Sequence, residues 1–246
     1  MRVSISPLEL DGFDRLPLHN RRCVFWEVDP DGGTDTLDAA LTGSPGGYES
    51  EFDKEAWVSG LMLEWGTCCQ VAVEESTGRI VGTAFYAPPG RVPRAKRFPT
   101  APVSPDAILL TAIGTEPGFE DYRAALLDAV VADVIGRGAR AVEAFGLTAT
   151  DSGLAGDLVS LLLGGGAADN VCRQCLMDTG LLAEAGFEVI APDQYLPRLR
   201  LDLNQGLGWK SQVERALEKL LISETVALQG VSRPMVPAHA RRGSSG

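Results

Sequence analysis

The sequence predicts a mixed α/β fold, in which one sheet combines antiparallel and parallel strands. Three features of the chain lead to this prediction. Two alternating segments, 68–75 and 79–88, form a hairpin around a short turn; a strand, a helix and a strand follow one another over 107–146; and two short strands come last, at 187–190 and 196–203. Hairpins give antiparallel pairs and strand–helix–strand crossovers give parallel ones, so this order indicates a mixed sheet and not a doubly wound one.

The elements before the hairpin are short. Residues 2–6 alternate as a first strand, and 53–66 is apolar at helical spacing. Asp53 is a suitable N-cap for that helix and Gly66 a suitable stop. After the hairpin, the basic run 91–97 stands out in an acidic chain, and we interpret it as a solvated loop.

The later elements follow the same logic. The central helix, 122–136, has an apolar face at helical spacing, and 172–186 predicts a helix that ends at Gly186. A Gly-rich insertion separates the two, and an amphipathic helix at 207–223 precedes a polar tail. We therefore divide the chain into a domain, 1–203, and a helical extension with a disordered tail, 204–246.

Composition limits the classes of function. The 246 residues are 45% hydrophobic and 22% charged, as in a soluble chain that buries a core. A net charge of -11 argues against binding to nucleic acid or anionic membranes. The N-terminus lacks the pattern of a signal peptide, no segment has the length of a membrane span, and five cysteines form no disulfide framework. We expect a cytoplasmic protein.

The order of elements resembles the GNAT superfamily of acyl-CoA-dependent N-acyltransferases over residues 2–203. The segment 107–146 is similar to the cofactor-binding core of that family. The segment 175–203 is similar to its closing helix, strand, loop and strand, and Gly186-Phe187 falls on the Gly-Phe ending of the family's helix. The aromatic run at 21–30, together with the helix that follows it, is similar to a GNAT-like subgroup of actinobacterial type.

The resemblance implies an acetyl-CoA donor site at the central strand and helix. The fourth strand would diverge from the fifth, and its freed backbone would meet the pantetheine arm, while the pyrophosphate would lie at the N-terminus of the helix. The implied cofactor-binding residues are Thr111, Ile113, Gly114, Thr115, Gly118, Arg123, Ala124 and Ala125.

The turn before the central helix departs from the glycine-rich pattern of the family. Arg123 replaces a glycine, and Glu120 and Asp121 add negative charge. The guanidinium of Arg123 can pair with a phosphate, whereas the two carboxylates repel one. The sequence thus predicts the architecture of a CoA site with a weakened pyrophosphate cradle.

The resemblance also implies a base for the amine and an acid for the leaving thiolate. Glu116, at the end of the fourth strand, is the base that we predict, with Glu143 as the alternative. The position of the family's tyrosine is Leu182, which cannot donate a proton. Tyr122 is therefore the acid that we predict, with Tyr195 as the alternative.

An aromatic segment lies where this fold places the wall of the acceptor site. Phe25 and Trp26 with Glu27 would suit a cationic amine, because a carboxylate beside aromatic rings attracts a positive charge. Core packing of the two aromatic side chains is the alternative.

The cysteines allow three interpretations. Cys172 and Cys175 form a Cys-x-x-Cys pair, and His19 with Cys23 supplies the two further ligands of a zinc site. A redox pair is the second interpretation. We favour the third, in which the cysteines are semi-buried packing residues and the chain holds no metal.

The function that we predict is N-acetyl transfer from acetyl-CoA to a primary amine of a small molecule or peptide, by direct attack in a ternary complex. The alternative is a catalytically inactive GNAT-like module that binds a ligand or a protein partner, which the missing glycines and Leu182 favour. The apolar stripe of the helix at 207–223 needs a surface to cover it, which the domain itself, a second copy in a homodimer or another protein partner could provide, and no sequence feature selects among the three.

Overall fold

A computed structural model describes residues 2–28, 49–148 and 172–203. Their strands are β1 (Val3–Pro7), β2 (Cys69–Glu74), β3 (Ile80–Ala87), β4 (Ala107–Thr115), β5 (Ala141–Leu147), β6 (Met177–Asp178), β7 (Glu188–Ala191) and β8 (Arg198–Asp202). They form one sheet in the order β1-β2-β3-β4-β5-β8-β7, with β6 paired to β5. The β4–β5 and β5–β6 pairs are parallel and the others antiparallel, which confirms the predicted mixed α/β class.

Helices cover both faces of the sheet. The α-helices of the described residues are α1 (Leu18–Arg22), α2 (Glu51–Glu64), α3 (Arg123–Gly136) and α4 (Thr179–Glu184). The predicted central helix is confirmed as α3. The predicted N-cap of α2 was wrong by one turn, because the hydroxyl of Ser50 accepts the Asp53 N–H at 3.1 Å and begins the helix there.

The two faces of the sheet bury different side chains. On the face of α1 and α2, the core contains a stack of aromatic rings, in which Trp26 stacks on Phe98 and Phe145 at centroid distances of 5.1 and 6.1 Å. On the face of α3, Leu126 and Val130 are fully buried in a mainly aliphatic core. The sheet therefore has a core on each side, and β4 runs between the two.

The single helix predicted over 172–186 was wrong. A short 3₁₀ turn, Arg173–Cys175, comes first, and the chain then pairs with the end of β5 as β6. A new helix begins after Asp178, because the carboxylate of Asp178 accepts the N–H of Gly180 at 2.8 Å. This helix ends before Gly186, whose φ of +91° is left-handed, as predicted.

The basic run 91–97 is not a solvated loop. It forms 3₁₀ turns over the aromatic core, and Arg94 is fully buried. The guanidinium carbon of Arg94 lies 4.6 Å from the ring centroid of Phe25, a cation–π contact that favours burial of this side chain.

Several sequence predictions lie outside the described residues. These are the Gly-rich insertion from residue 149 onward, the amphipathic helix at 207–223 and the extension 204–246. The described residues belong to one compact unit, 1–204. None of the helices in the described ranges combines the length and apolarity that a membrane crossing requires.

Candidate active site

The strands β4 and β5 diverge after a short region of pairing. They pair at Ala107–Leu109 and Ala141–Glu143, although β4 continues to Thr115. The register between β3 and β4 shifts at the point of divergence, so Thr111 is an extra residue in β4, and its hydroxyl donates to a β3 carbonyl at 3.1 Å. Such a bulge bends a strand and directs the second half of β4 away from β5.

The divergence leaves one edge of β4 unpaired. The Glu116 N–H donates to β3 at 2.7 Å. Because N–H groups alternate between the two edges of a strand, those of Ala112 and Gly114 also point to β3, and those of Ile113 and Thr115 point to the opposite edge. Beyond Leu109, no strand of the described ranges pairs with β4 at that edge. Ile113 and Thr115 therefore offer N–H and C=O groups to an added extended chain.

An apolar groove lies against this edge. It is a cavity of about 230 Å³ between β4, α3 and α4. Arg123, the first residue of α3, brings a positive charge to one wall, and Leu182, which is almost fully buried, forms part of another. The other lining residues are Leu110, Ile113, Leu127, Leu176, Met177, Asp178, Leu181, Ala185 and Phe187. The groove suits a thin, mostly apolar chain with an anionic group at the Arg123 end.

The turn before α3 already holds a carboxylate. The Gly118 N–H donates to both carboxylate oxygens of Glu120, at 3.0 and 2.9 Å. Hydrogen bonds from its own backbone N–H and from Gly118 hold the pKa of Glu120 below its usual range. Tyr122 is the N-cap residue of α3, but its side chain accepts no hydrogen bond from the helix. It therefore does not cap the N–H groups of the first turn, which includes Ala124 and Ala125. A phosphate at this turn would compete with Glu120.

A second cavity, of about 310 Å³, lies on the other side of β4. Residues 112–116 form one wall, and His19, Asn20 and Gln174 form another. Glu116 is at the end of this wall and pairs with Arg79 at 2.8 Å, with its side chain one-third exposed. The predicted base thus lies in a cavity that borders the free half of β4, with one carboxylate oxygen paired to Arg79.

The alternative base, Glu143, was wrong as a catalytic candidate. It is fully buried in β5, where its carboxylate pairs with Arg198 and, at 3.0 Å, with Arg200. It also accepts the Ser104 N–H at 3.1 Å. These partners fix β8 and the segment before β4 against β5, and they leave Glu143 no route to either cavity.

The proposed acceptor wall is largely core. Phe25 is fully buried, and Trp26 is 2% exposed in the aromatic stack. Glu27 pairs with the ammonium of Lys54, which also lies 4.6 Å from the ring centroid of Phe85. Burial disfavours the charge on Lys54, but the carboxylate of Glu27 outweighs this and raises the pKa of Lys54. Trp26, Glu27 and Lys54 border a small cavity next to Thr111. This segment is therefore part of the core beside β4 and not an exposed wall.

The tyrosines considered as acids line neither large cavity. Tyr122 packs against the core on the α3 face, with its ring centroid 6.3 Å from that of Phe119. Tyr195 packs against the aromatic core, and its N–H donates to Asp193 at 2.9 Å. Tyr122 as the acid stays a prediction. Neither Tyr122 nor Tyr195 borders the groove.

The sequence-distant cysteine and histidine candidates come together. His19 and Cys23 from α1 and its end meet Cys172 and Cys175 from the 3₁₀ turn, with all four candidate ligand atoms within 4.8 Å of one another. Hydrogen bonds from the thiols of Cys175 and Cys23 lower the pKa of Cys172 to about 3. The cysteines are free and buried or partly buried, as the packing interpretation expects, and their closeness to His19 keeps the metal interpretation open.

Comparison with solved structures finds chains with a similar arrangement of elements. One is the PaiA N-acetyltransferase of Thermoplasma acidophilum in complex with coenzyme A, at 11% identity and a TM-score of 0.46, over 82% of this chain and 99% of that one. Another is an N-acetyltransferase of Staphylococcus aureus Mu50, at 14% identity and a TM-score of 0.45, over 83% and 100%.

A third similar structure is a GNAT family acetyltransferase of Brucella melitensis in complex with acetyl-CoA, at 13% identity and a TM-score of 0.41, over 82% of this chain and 88% of that one. No protein-family model matches the chain. No curated protein matches its sequence. At such identities these likenesses carry no information about a substrate.

Proposed function

We propose that this chain transfers an acyl group from acyl-CoA to a primary amine, by direct attack of the amine on the thioester in a ternary complex. The observation that carries the proposal is the unpaired edge of β4 at Ile113 and Thr115, next to an apolar groove. The pantetheine arm of CoA is an extended chain with two amides, which can pair with such an edge as an added strand does.

The residues around the groove fit the other parts of the donor. Arg123 supplies a guanidinium for a phosphate, and the first turn of α3 supplies N–H groups and the positive end of the helix dipole. Glu120 opposes this, because its carboxylate occupies the Gly118 N–H. We infer a site that binds the pantetheine arm well and the pyrophosphate weakly.

The acceptor would enter from the other side of β4. The cavity there is bordered by the same strand and contains Glu116, which would take the proton of the amine. Acetyl is the acyl group that we propose. Glu116 remains the base, and water or Tyr122 would protonate the thiolate.

Calorimetric titration of acetyl-CoA into the full-length protein tests the donor site. We expect micromolar binding, and about tenfold weaker binding for Ile113→Pro, which removes one N–H from the free edge. A proline is tolerated there because this N–H does not donate to β3. Ile113→Val is the matched control and should bind as the wild type does.

Turnover is tested separately, by release of free CoA thiol with a panel of primary amines. Binding together with amine-dependent release would support the transferase. Binding without release from any amine would favour the alternative, a ligand-binding module. No binding of acetyl-CoA to the wild type up to millimolar concentrations would overturn the donor site, and so would an unchanged affinity of Ile113→Pro.

A further inference from the structure

A compact set of three thiols and one imidazole joins two distant parts of the chain. His19 and Cys23 are separated by one helical turn, and the Cys23 N–H donates to the His19 carbonyl at 2.8 Å, which places both side chains on one side of α1. Cys172 and Cys175 are joined in the same way, by a bond of 3.0 Å from the Cys175 N–H to the Cys172 carbonyl. Local backbone hydrogen bonds thus hold the two members of each pair close together.

The two sulfur–nitrogen distances within the cluster are close to those of a tetrahedral metal site. Zinc bonds of about 2.3 Å to sulfur and about 2.0–2.1 Å to nitrogen give edges of about 3.8 Å between sulfurs and about 3.5 Å between sulfur and nitrogen. The His19 Nε2 lies 3.6 Å from the Cys172 Sγ and 3.4 Å from the Cys175 Sγ. The Cys23 and Cys175 sulfurs are 3.3 Å apart, shorter than the edge of about 3.8 Å, so these two thiols must separate by about 0.5 Å when the metal binds.

The remaining cysteines provide a contrast within the same chain. Cys68 and Cys69 are fully buried in the core, and burial raises the pKa of the Cys68 thiol to about 12. They behave as small apolar side chains. Cys172, by contrast, is only partly buried, and its sulfur faces an imidazole nitrogen.

We propose that His19, Cys23, Cys172 and Cys175 bind one Zn²⁺ in a structural Cys₃His site. Three soft thiolates with one imidazole in a tetrahedral arrangement select zinc among the common divalent ions. The protein supplies all four ligands, which leaves no position for a water or a substrate. Binding releases the thiol protons to solvent, and the metal is neither oxidised nor reduced.

The surroundings hold the ligands in place. The indole N–H of Trp26 donates to the Cys175 carbonyl at 3.2 Å, and the Ser50 N–H donates to the Arg22 carbonyl at 2.8 Å, next to Cys23. These hydrogen bonds hold the backbone at Cys175 and next to Cys23, from which two of the ligands project. The site therefore has a rigid frame built from the aromatic core.

The zinc would form a crosslink beside the cavity that contains Glu116. His19 and Gln174 line that cavity opposite β4, and they belong to the two segments that the four ligands join. The ligands Cys23 and Cys175 are 152 residues apart in sequence, so the metal closes a very large loop. The zinc site does not depend on the acyl transfer proposed above.

The metal content of the full-length protein tests the site. We expect about one zinc per chain by inductively coupled plasma mass spectrometry, after expression in zinc-supplemented medium and purification without immobilised metal. Replacement by Co²⁺ should give strong thiolate-to-cobalt charge-transfer absorption and the intense visible bands of a tetrahedral site. Protein without zinc that also shows no tetrahedral cobalt spectrum under reducing conditions would overturn the proposal.

Ligand variants separate the cluster from the core cysteines. Cys172→Ser should lose the zinc during dialysis against a chelator that the wild type withstands, whereas Cys68→Ala, the control, should keep it. His19→Cys should keep the metal and strengthen the charge-transfer absorption of the cobalt form, because a fourth thiolate joins the site. This variant tests ligation even if Cys172→Ser folds poorly.

Two other results would contradict the zinc assignment. Iron in place of zinc would show a different metal, and a disulfide between Cys172 and Cys175 in freshly purified, metal-free protein would show a redox pair. Alkylation of the thiols at pH 8 distinguishes metal-bound cysteines from a disulfide. Cys172 should react only after chelation, while Cys68 should stay unreactive in the folded protein because its pKa is about 12.

Discussion

The two sides of β4 are built from different kinds of side chain. On the α3 side, Leu126 and Val130 fill an aliphatic core, and the groove beside it is apolar except near Arg123 and Asp178. On the α1 side, aromatic rings surround a buried ion pair of Glu27 with Lys54, and the thiol–imidazole cluster lies next to it.

This difference separates two physical tasks. An apolar groove beside a free strand edge can bind extended chains of different composition, because the backbone of the strand provides the hydrogen bonds. A buried polar network has few alternative arrangements, because every unpaired charge is costly in the interior. We infer that the α3 side receives the donor and that the α1 side fixes the shape of the acceptor cavity.

The largest effect that we expect comes from breaking the ion pair on the α1 side. Lys54→Ala leaves the carboxylate of Glu27 buried without its partner, which should lower the free energy of unfolding by about 3–5 kcal/mol. Chemical denaturation measures this. The double variant Lys54→Met, Glu27→Leu should recover most of the loss, and a double variant as unstable as Lys54→Ala would show that the charges are not the cause.

The same pair predicts a pH dependence. The pKa of Lys54 is raised in the folded protein above its value of about 10.4 in the unfolded chain. Burial also raises the pKa of Glu27, so the ion pair is present only above the pKa of that carboxyl. On the alkaline side, its contribution to stability is full below the unfolded pKa of Lys54 and is lost as the pH rises through the folded value. The difference in stability between wild type and Lys54→Met should shrink in strongly alkaline buffer, and a difference that grows there would contradict this sign.

A matched truncation on the α3 side should act by a different mechanism. Leu126 is fully buried, and Leu126→Ala removes apolar contacts and leaves a cavity, which should cost about 3 kcal/mol. Because the two sides of β4 are separate, the zinc content should stay at the wild-type level. Loss of zinc from a Leu126→Ala variant that still unfolds cooperatively would show that the two sides of β4 are not separate.

Replacing the proposed base should affect the reaction and leave the stability unchanged. We expect Glu116→Gln to lower kcat/KM by about 100-fold, while acetyl-CoA affinity stays as in the wild type. Arg79→Ala is the control, since it removes the partner of Glu116 and keeps the carboxylate. Equal activities of Glu116→Gln and wild type would exclude Glu116 as the base.

The smallest effect concerns the turn before α3. Glu120→Gln removes the negative charge that occupies the Gly118 N–H, so acetyl-CoA should bind about threefold more tightly. Arg123→Ala should weaken binding by a similar factor, because its guanidinium lines the groove. Calorimetry measures both, and weaker binding by Glu120→Gln would show that its carboxylate organises the turn for the ligand.

Local patterns explain why much of the fold was predictable. The hairpin and the central crossover depend on periodicity within single segments, and both elements are present. The helix predicted over 172–186 failed because Asp178 caps a new helix in the middle of an apolar stretch. An N-cap inside a helical pattern is visible in sequence, and more weight on this aspartate would have found the break.

The site was less predictable, because it depends on contacts between distant segments. The Phe25-Trp26 pair would look the same in sequence whether it formed a substrate wall or a core. Only the stacking of Trp26 on Phe98 and Phe145 shows that the pair is core. The Cys-x-x-Cys pair was visible, but its meeting with His19 and Cys23 requires a closed fold. The Glu120 contact with Gly118 depends on turn geometry that no residue pattern specifies.

Hydrogen exchange at β4 tests the donor edge most directly. In the free protein, the amides of Ile113 and Thr115 should exchange much faster than those of Ala112 and Gly114, which donate to β3. Saturating acetyl-CoA should slow exchange at Ile113 and Thr115 and change Ala112 and Gly114 little. If acetyl-CoA binds and Ile113 and Thr115 still exchange as in the free protein, the donor does not pair with this edge and the central claim is wrong.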